Sequence, residues 1–200
     1  MTTPSKIFEG FSISHAEIMD GTKTFLEEAF LVAAEAYDVY GVADGSLDPD
    51  TDSFDNEGDD AVLSRWQWLN FASVNIQAGY ISFPLIATMT GKSVTTTGTG
   101  VNTAYSMDLW HEDTFNVTSR PMLLKVPSRD AKGAVRSAII GLYRVDFAPI
   151  TFDGPTYKNG LKVNYGGTAV LTGFDEKGVV FGDGKKRVGQ LLSVGAAAPA

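Results

Sequence analysis

No cysteine occurs anywhere in this chain of 200 residues, which excludes disulfides, thiolate nucleophiles and Cys-built zinc sites together. Histidine is nearly as scarce, with His15 and His111 the two present. No apolar run approaches the ~20 residues that a membrane-spanning helix needs, and the start, Met1 to Glu9, lacks the basic and apolar regions of a secretory signal. A soluble protein is expected. Lys and Arg are absent from Thr24 to Ser64, a span that holds twelve of the chain's 24 carboxylates. The first hundred residues carry four Lys or Arg against fifteen Asp or Glu, a net −11; the second hundred carry twelve against nine, a net +3. With −8 overall, the chain has no excess of cations for holding nucleic acid, because phosphate binding draws on Lys and Arg clusters.

What is present points to a folded, mainly β protein. Hydrophobic residues make up 44% of the chain, enough for a real core in one domain over residues 1–200, with 1–6 and 193–200 read as loose ends. Ile7 to His15 reads as a short strand with Phe11 and Ile13 on one face. Thr24 can cap a helix with Phe25, Ala29, Val32 and Ala36 at helical spacing, so 24–36 is either helical or irregular. Tyr37 to Val42 is aromatic and β-branched, hence a strand. The acidic run Asp48 to Asp60 reads as a long inter-strand loop between extended arms.

From Arg65 to Tyr80 the even positions Trp66, Trp68, Val74, Ile76 and Tyr80 are apolar, and the odd positions Gln67, Ser73, Asn75 and Gln77 are polar. This alternation predicts a strand with one buried and one wetted face. Its phase fails at Leu69, Asn70 and Phe71, which predicts a bulge or a change of packing partner. Such a strand, ~50 Å long at ~3.3 Å per residue, suits a barrel or a sheet completed by neighbouring chains. Ser82 to Gly91 has a Ser cap, an early proline and a closing glycine, predicting a short helix that buries Leu85, Ile86 and Met89. Ser93 to Gly100 reads as a neutral, flexible loop. Beyond it the expected strands are Tyr105 to Trp110, Met122 to Val126, Val135 to Phe147, Leu161 to Thr172 and Val179 to Phe181. Turn chemistry separates them at Asp130 to Gly133, Asp153 to Pro155, Asn159 to Gly160 and Asp175 to Gly178.

Catalytic constellations are hard to assemble. His15 or His111 could act as a general base, but a sheet histidine is the simpler reading of each. No Gly-x-Ser-x-Gly elbow occurs. Thr90 to Ser93 reads Thr-Gly-Lys-Ser, the close of a phosphate loop, yet the position that needs the first glycine is Ile86. One metal candidate stands out: Asp48, Asp50, Asp52 and Asp59 match positions 1, 3, 5 and 12 of a calcium loop, although Ser53 occupies the glycine position and Pro49 stiffens the turn. A solvated acidic hairpin explains the same residues without a metal.

Five runs, in this order, resemble the major tail protein, the tail tube subunit, of long-tailed phages, in particular the type found in phages of actinobacteria. They are Tyr40-Gly-Val-Ala-Asp-Gly-Ser-Leu-Asp-Pro-Asp-Thr-Asp-Ser53, Gly58-Asp-Asp-Ala-Val-Leu-Ser64, Ala78-Gly-Tyr-Ile-Ser-Phe-Pro-Leu-Ile86, Arg120-Pro-Met-Leu-Leu-Lys-Val-Pro-Ser128 and Phe152-Asp-Gly-Pro-Thr-Tyr-Lys-Asn-Gly-Leu-Lys-Val-Asn-Tyr165. The resemblance covers most of 7–192 and is weakest over 22–36. It implies a β-sandwich or barrel-like tail tube fold with one or two short helices, assembled six to a ring. In that family the rings stack and strands of all subunits form one barrel around a lumen. The tube encloses a tape-measure protein during assembly and conducts the genome at infection. The resemblance therefore implies a virion protein made in the host cytoplasm, with no catalysis, no cofactor and no membrane. Its partners would be itself and other tail proteins, with DNA only in transit.

The opposed charge of the two halves fits head-to-tail contacts, which are heterologous and propagate. Asp48, Asp50, Asp52 and Asp55 are expected to meet Lys125, Arg129, Arg136, Lys158 or Lys162 of a neighbouring subunit where rings stack. Two other function classes compete. A non-assembling carbohydrate-binding β-sandwich would use the aromatics Trp66, Trp68, Phe71, Tyr80 and Phe83. A hydrolase would use His15 or His111.

Overall fold

In the computed structural model of the chain the described residues are 8–10, 13–29, 37–58, 61–108, 119–130, 135–154 and 162–195. At 8–10, 54–58, 61–66, 68, 128–130, 135–136 and 193–195 the backbone alone is described. The sequence expectations for Phe11, residues 30–36, Asp59, Trp110, His111, Lys158 and the turn at Asn159 to Gly160 lie outside these residues. So do those for the side chains of Asp55, Trp66, Trp68, Arg129 and Arg136.

The fold is mainly β with antiparallel pairing. The strands are β1 (Phe8–Gly10), β2 (His15–Ile18), β3 (Asp38–Val39), β4 (Val42–Gly58), β5 (Ala61–Ala78), β6 (Thr95–Thr97), β7 (Ala104–Ser106), β8 (Ser119–Asp130), β9 (Val135–Phe147), β10 (Thr151–Asp153), β11 (Lys162–Val170) and β12 (Gly189–Gly195). Helices α1 (Phe25–Glu28) and α2 (Phe83–Thr90) complete the elements, with a single 3-10 turn at Gly100–Asn102. The main sheet runs β3-β2-β8-β9-β11-β5-β4; β1 joins β8, β10 joins β11, and β12 joins β9. It forks at β9, whose second edge is held by β12 along 136–142 and by β11 along 145–147. The two ends of this order are joined directly by the chain, because β3 ends at Val39 and β4 starts at Val42. Three peptide units span at most about 11 Å, so the sheet has to curl until its ends nearly meet.

The curl encloses the main core. Ala16, Ile18 and Val39 from one end of the order pack with Val74, Ile76 and Ala78 from the other, together with Leu124, Leu142, Val163 and Tyr165. Helix α2 plugs this core with Leu85, Ile86 and Met89. Its ends follow the expected chemistry: the Ser82 side chain accepts the Leu85 N–H, Pro84 lies in the first turn, and Gly91 closes it at φ 68°. The opposite side of β8 and β9 carries a smaller core of Met19, Phe25, Leu123, Ile139 and Tyr143. Consecutive burial of Met122, Leu123 and Leu124 follows, since this strand is covered on both faces. Gly141 makes room for Phe25, whose ring atoms lie 2.4 Å from where a Cβ would stand.

Several expectations need correction. The acidic run is not a loop: residues 42–58 form one strand of 17 residues paired with the 18 of β5. A calcium-type loop is therefore not formed there. The Ile7 to His15 strand is two strands, β1 and β2, each laid on β8. At Thr24 the capping box with Glu27 is present, but α1 is four residues long. The neutral loop contains β6, paired with β7. Val179 to Phe181 is not a strand; Val180 makes one isolated bridge to Phe174. The backbone of 193–195 continues β12 along β9 and is not a loose end. The phase failure at Leu69 to Phe71 is a bulge, because Asp50 pairs with Phe71 and Thr51 with Leu69, leaving Asn70 as the extra residue.

Candidate functional site

Two surfaces built by β4 and β5 stand out. The first is a bare polar face. Where β5 lies between β4 and β11, alternate side chains point into the core through Leu47, Val74, Ile76, Val163 and Tyr165. The remaining positions form rungs across the outer side, each made of residues directly opposite in register. One runs Asp48, Ser73, Thr168, Asp146 and Ser119; a second runs Asp44, Gln77, Asn164 and Thr151; a third runs Ser46, Asn75 and Gly166. Directly opposed positions share a face, so period-2 alternation in each strand becomes a continuous wetted sheet.

Hydrogen bonds tie this face together. Lys162 Nζ donates to Gln77 Oε1 at 2.9 Å, and Gln77 Nε2 donates to Asp153 Oδ2 at 2.8 Å and to Asn164 Oδ1 at 3.2 Å. Arg144 Nε donates to Asp146 Oδ1 at 3.2 Å. Carboxylates dominate, with Asp44, Asp48, Asp50, Asp146 and Asp153 set against Lys162 and Arg144. The one hollow here, lined by Asp44, Ser46, Asn75 and Gln77, holds about 90 Å³ among the described residues, well below the ~300 Å³ at which small-molecule sites begin.

The second surface is an arm. The pairing of β11 with β5 ends at Val170 opposite Phe71, and beyond that rung residues 51–58 and 61–69 pair only with each other among the described residues. At ~3.3 Å per residue this two-stranded ribbon reaches about 26 Å past the sheet. Asn70 marks its root, where its Nδ2 donates to Asp50 Oδ2 at 3.2 Å. The ribbon buries little on its own, and isolated two-stranded hairpins are marginal in water. On β4, Asp48, Asp50 and Asp52 are all exposed. Along one extended strand Asp48 and Asp52 stand about 13 Å apart, too far for all three carboxylates to converge on one cation that binds oxygen at roughly 2.3–2.6 Å. Among the described residues no group of three or more His, Asp or Glu could hold a metal.

The candidate cations fall in different places. Lys162 lies on the same face as the aspartates, and Lys125 is half-buried opposite His15 on β2. The backbones of Arg129 and Arg136 stand near the β8–β9 turn. His15 itself sits in an edge cluster, with Nδ1 3.3 Å from Asp38 Oδ1 and Nε2 4.0 Å from Glu17 Oε2. Burial raises both carboxyls above their ordinary pKa values, against the pull of His15 and Lys125. The adjacent Ser14 hydroxyl donates to the Lys125 carbonyl at 3.2 Å.

No family model and no curated protein matches this chain. Strand β4 is the last in the sheet order, so its second edge is unpaired among the described residues. Sequence reasoning placed the acidic residues but missed Arg120 and Arg144, which line a hollow with the loop after β11, and the exposed Lys177, Lys185 and Lys186 of that loop. The run Lys185-Lys186-Arg187 was the signal available in the sequence.

Proposed function

We propose that this chain is the repeating subunit of a phage tail tube, a structural virion protein that assembles into rings, which stack into the conduit for the genome. The observation that carries this reading is the bare face of β4, β5, β11 and β10, polar through the rungs of Asp44, Ser46 and Asp48, rich in carboxylates and ending at an edge unpaired among the described residues. An isolated protein rarely leaves such an edge, because unpaired N–H and C=O groups recruit other strands. A ring of copies resolves this by pairing edge to edge, as a barrel does. The wetted face then lines an aqueous lumen. Carboxylates suit that lining, since phosphates are repelled by it and DNA passes without being held.

The same reading makes the tape-measure protein and other tail proteins partners during assembly. It assigns the protein to the virion after synthesis in the host cytoplasm, with no catalytic role. Negative-stain microscopy of the purified chain, concentrated over a range of ionic strength, tests it. Rings or tubes with a stain-filled centre are expected. A strictly monomeric species at high concentration, unchanged when tail-tip components that start assembly are added, overturns the reading.

A further inference from the structure

Resting on that reading, we propose that the acidic β4–β5 arm of one copy docks in a groove of a second copy, between the β8–β9 edge and the loop over residues 172–188. The groove holds about 390 Å³ and is lined by Ser119, Arg120, Pro121, Tyr143, Arg144 and Phe174, with Asp175 and Glu176 on the loop side. It is preformed. Thr172 and Arg187 exchange both backbone hydrogen bonds, at 3.0 and 2.9 Å, and the Phe181 ring is held between Tyr143, 5.0 Å away, and the Arg187 guanidinium, 4.4 Å above it.

Its lining sets the guanidinium groups of Arg120 and Arg144 against the carboxylates of Asp175 and Glu176, and the group left without a partner is a guanidinium. Arg120 Nε is shut off from solvent and has no hydrogen-bond partner. The groove's own carboxylates are already engaged by backbone: Asp175 Oδ1 accepts from the N–H groups of Lys177 and Val179 at 2.9 and 2.8 Å, and Glu176 Oε1 accepts from that of Phe25 at 3.1 Å. Arg144 is shared with Asp146. Along the loop itself Lys177, Lys185 and Lys186 are exposed, as are Phe174, Val179 and Val180. A guanidinium with an unpartnered N–H takes a carboxylate in preference to any neutral group, and usually with two parallel bonds. Asp50 and Asp52, exposed on the arm, supply carboxylates of complementary sign.

Placement fixes which kind of contact this is. The arm leaves the sheet at the rung of Asp50, Phe71 and Val170, and the loop that walls the groove begins two residues after Val170, at the same end of the sheet. Copies laid side by side in one orientation bring arm to groove; copies stacked end to end do not. The contact is therefore lateral and heterologous, the type that closes a ring. It replaces the stacking contact expected from the sequence and moves the receptor away from Lys125, Arg129, Arg136, Lys158 and Lys162.

Charge exchange between two variants of the full chain tests this. One carries Asp50→Lys and Asp52→Lys; the other carries Arg120→Glu and Arg144→Glu. Each alone should raise the concentration needed for assembly at low salt by at least about tenfold, and an equimolar mixture should restore it, because every contact then joins opposite charges. Arg120 is half-buried, so Lys177→Glu, at an exposed position between the groove residues Glu176 and Gly178, is measured beside it and should act in the same direction. If wild type assembles and the groove variants assemble at the same concentration, the docking is refuted while the tube reading stands. If wild type stays monomeric under all conditions, both fall.

Discussion

Phe25 and Gly141 lie far apart in the chain, and their contact holds the cover on the second face of β9. Phe25 is fully buried, and its ring lies 5.4 Å from that of Tyr143 between centroids. Truncating it, Phe25→Ala, should cost about 3–5 kcal/mol from lost transfer energy and the cavity left behind. At this chain length the melting temperature falls roughly 2–4 °C per kcal/mol, so a drop of about 6–20 °C is expected. Gly141→Ala attacks the same contact from the other side. Its Cβ would stand 2.4 Å from a Phe25 ring carbon, which forces the ring to move. Overpacking of this kind costs about 1–3 kcal/mol. In the Phe25→Ala background the obstruction is gone, and alanine in a strand is favoured over glycine by about 0.5–1 kcal/mol. Gly141→Ala should then be neutral or stabilising, and the double-mutant cycle should show a coupling of about 2 kcal/mol, far above the ~0.3–0.5 kcal/mol scatter of independent sites. Urea unfolding of the unassembled protein, with an unchanged m-value, measures all four species. Equal costs of Gly141→Ala in both backgrounds, or a loss below about 1 kcal/mol for Phe25→Ala, would refute the packing of α1 against β9.

Three further outcomes follow from single contacts. Glu176→Ala leaves the buried Phe25 N–H without its acceptor, an expected loss of about 1–3 kcal/mol, whereas Glu176→Gln keeps an acceptor and restores most of it; equal stability of the two variants would count against the bond, and amide exchange at Phe25 reports it directly. Gly91→Ala at φ 68° meets no atom within 4 Å, so its expected cost of about 1–2 kcal/mol is backbone strain alone, and Gly91→Asn should cost less in the same thermal melt. Burial holds the Glu17 carboxyl above its ordinary 4.5, opposed by His15 and Lys125 and reinforced by Glu28. The folded state therefore keeps that proton where the unfolded chain has lost it, and the stability from this group is full below about pH 4.5 and is lost as pH rises through the folded value. Relative to Glu17→Gln, wild type should gain stability on acidification from pH 8 toward pH 4; a difference constant across that range would contradict the burial argument.

The amino-acid order determined every feature that depends on near neighbours. Ser82, Pro84 and Gly91 set the limits of α2 through caps and fixed dihedrals within one turn of the chain. The alternation of Val74 and Ile76 with Ser73, Asn75 and Gln77 separated the buried from the wetted face of β5, because a strand places successive side chains on opposite sides, and the lost phase at Leu69 to Phe71 marked the bulge; Tyr80, in the same apolar phase, lies beyond the strand and is exposed. What the order left open depended on residues distant in the chain. Asp48 to Gly58 has the composition of a loop, and only the facing residues of β5 make it a strand, by completing a ladder of backbone hydrogen bonds that no local propensity records. The seating of α1 depends on the Glu176 carboxylate that accepts its first N–H and on Gly141 beneath Phe25, neither of which is near it in sequence. Arg120, Arg144 and Glu176 come from three separate segments and line one groove. Charge composition could announce that the halves of this chain differ in sign, but position belongs to the pairing of the sheet, which sets the acidic arm and the groove beside Arg120 and Arg144 at the same end.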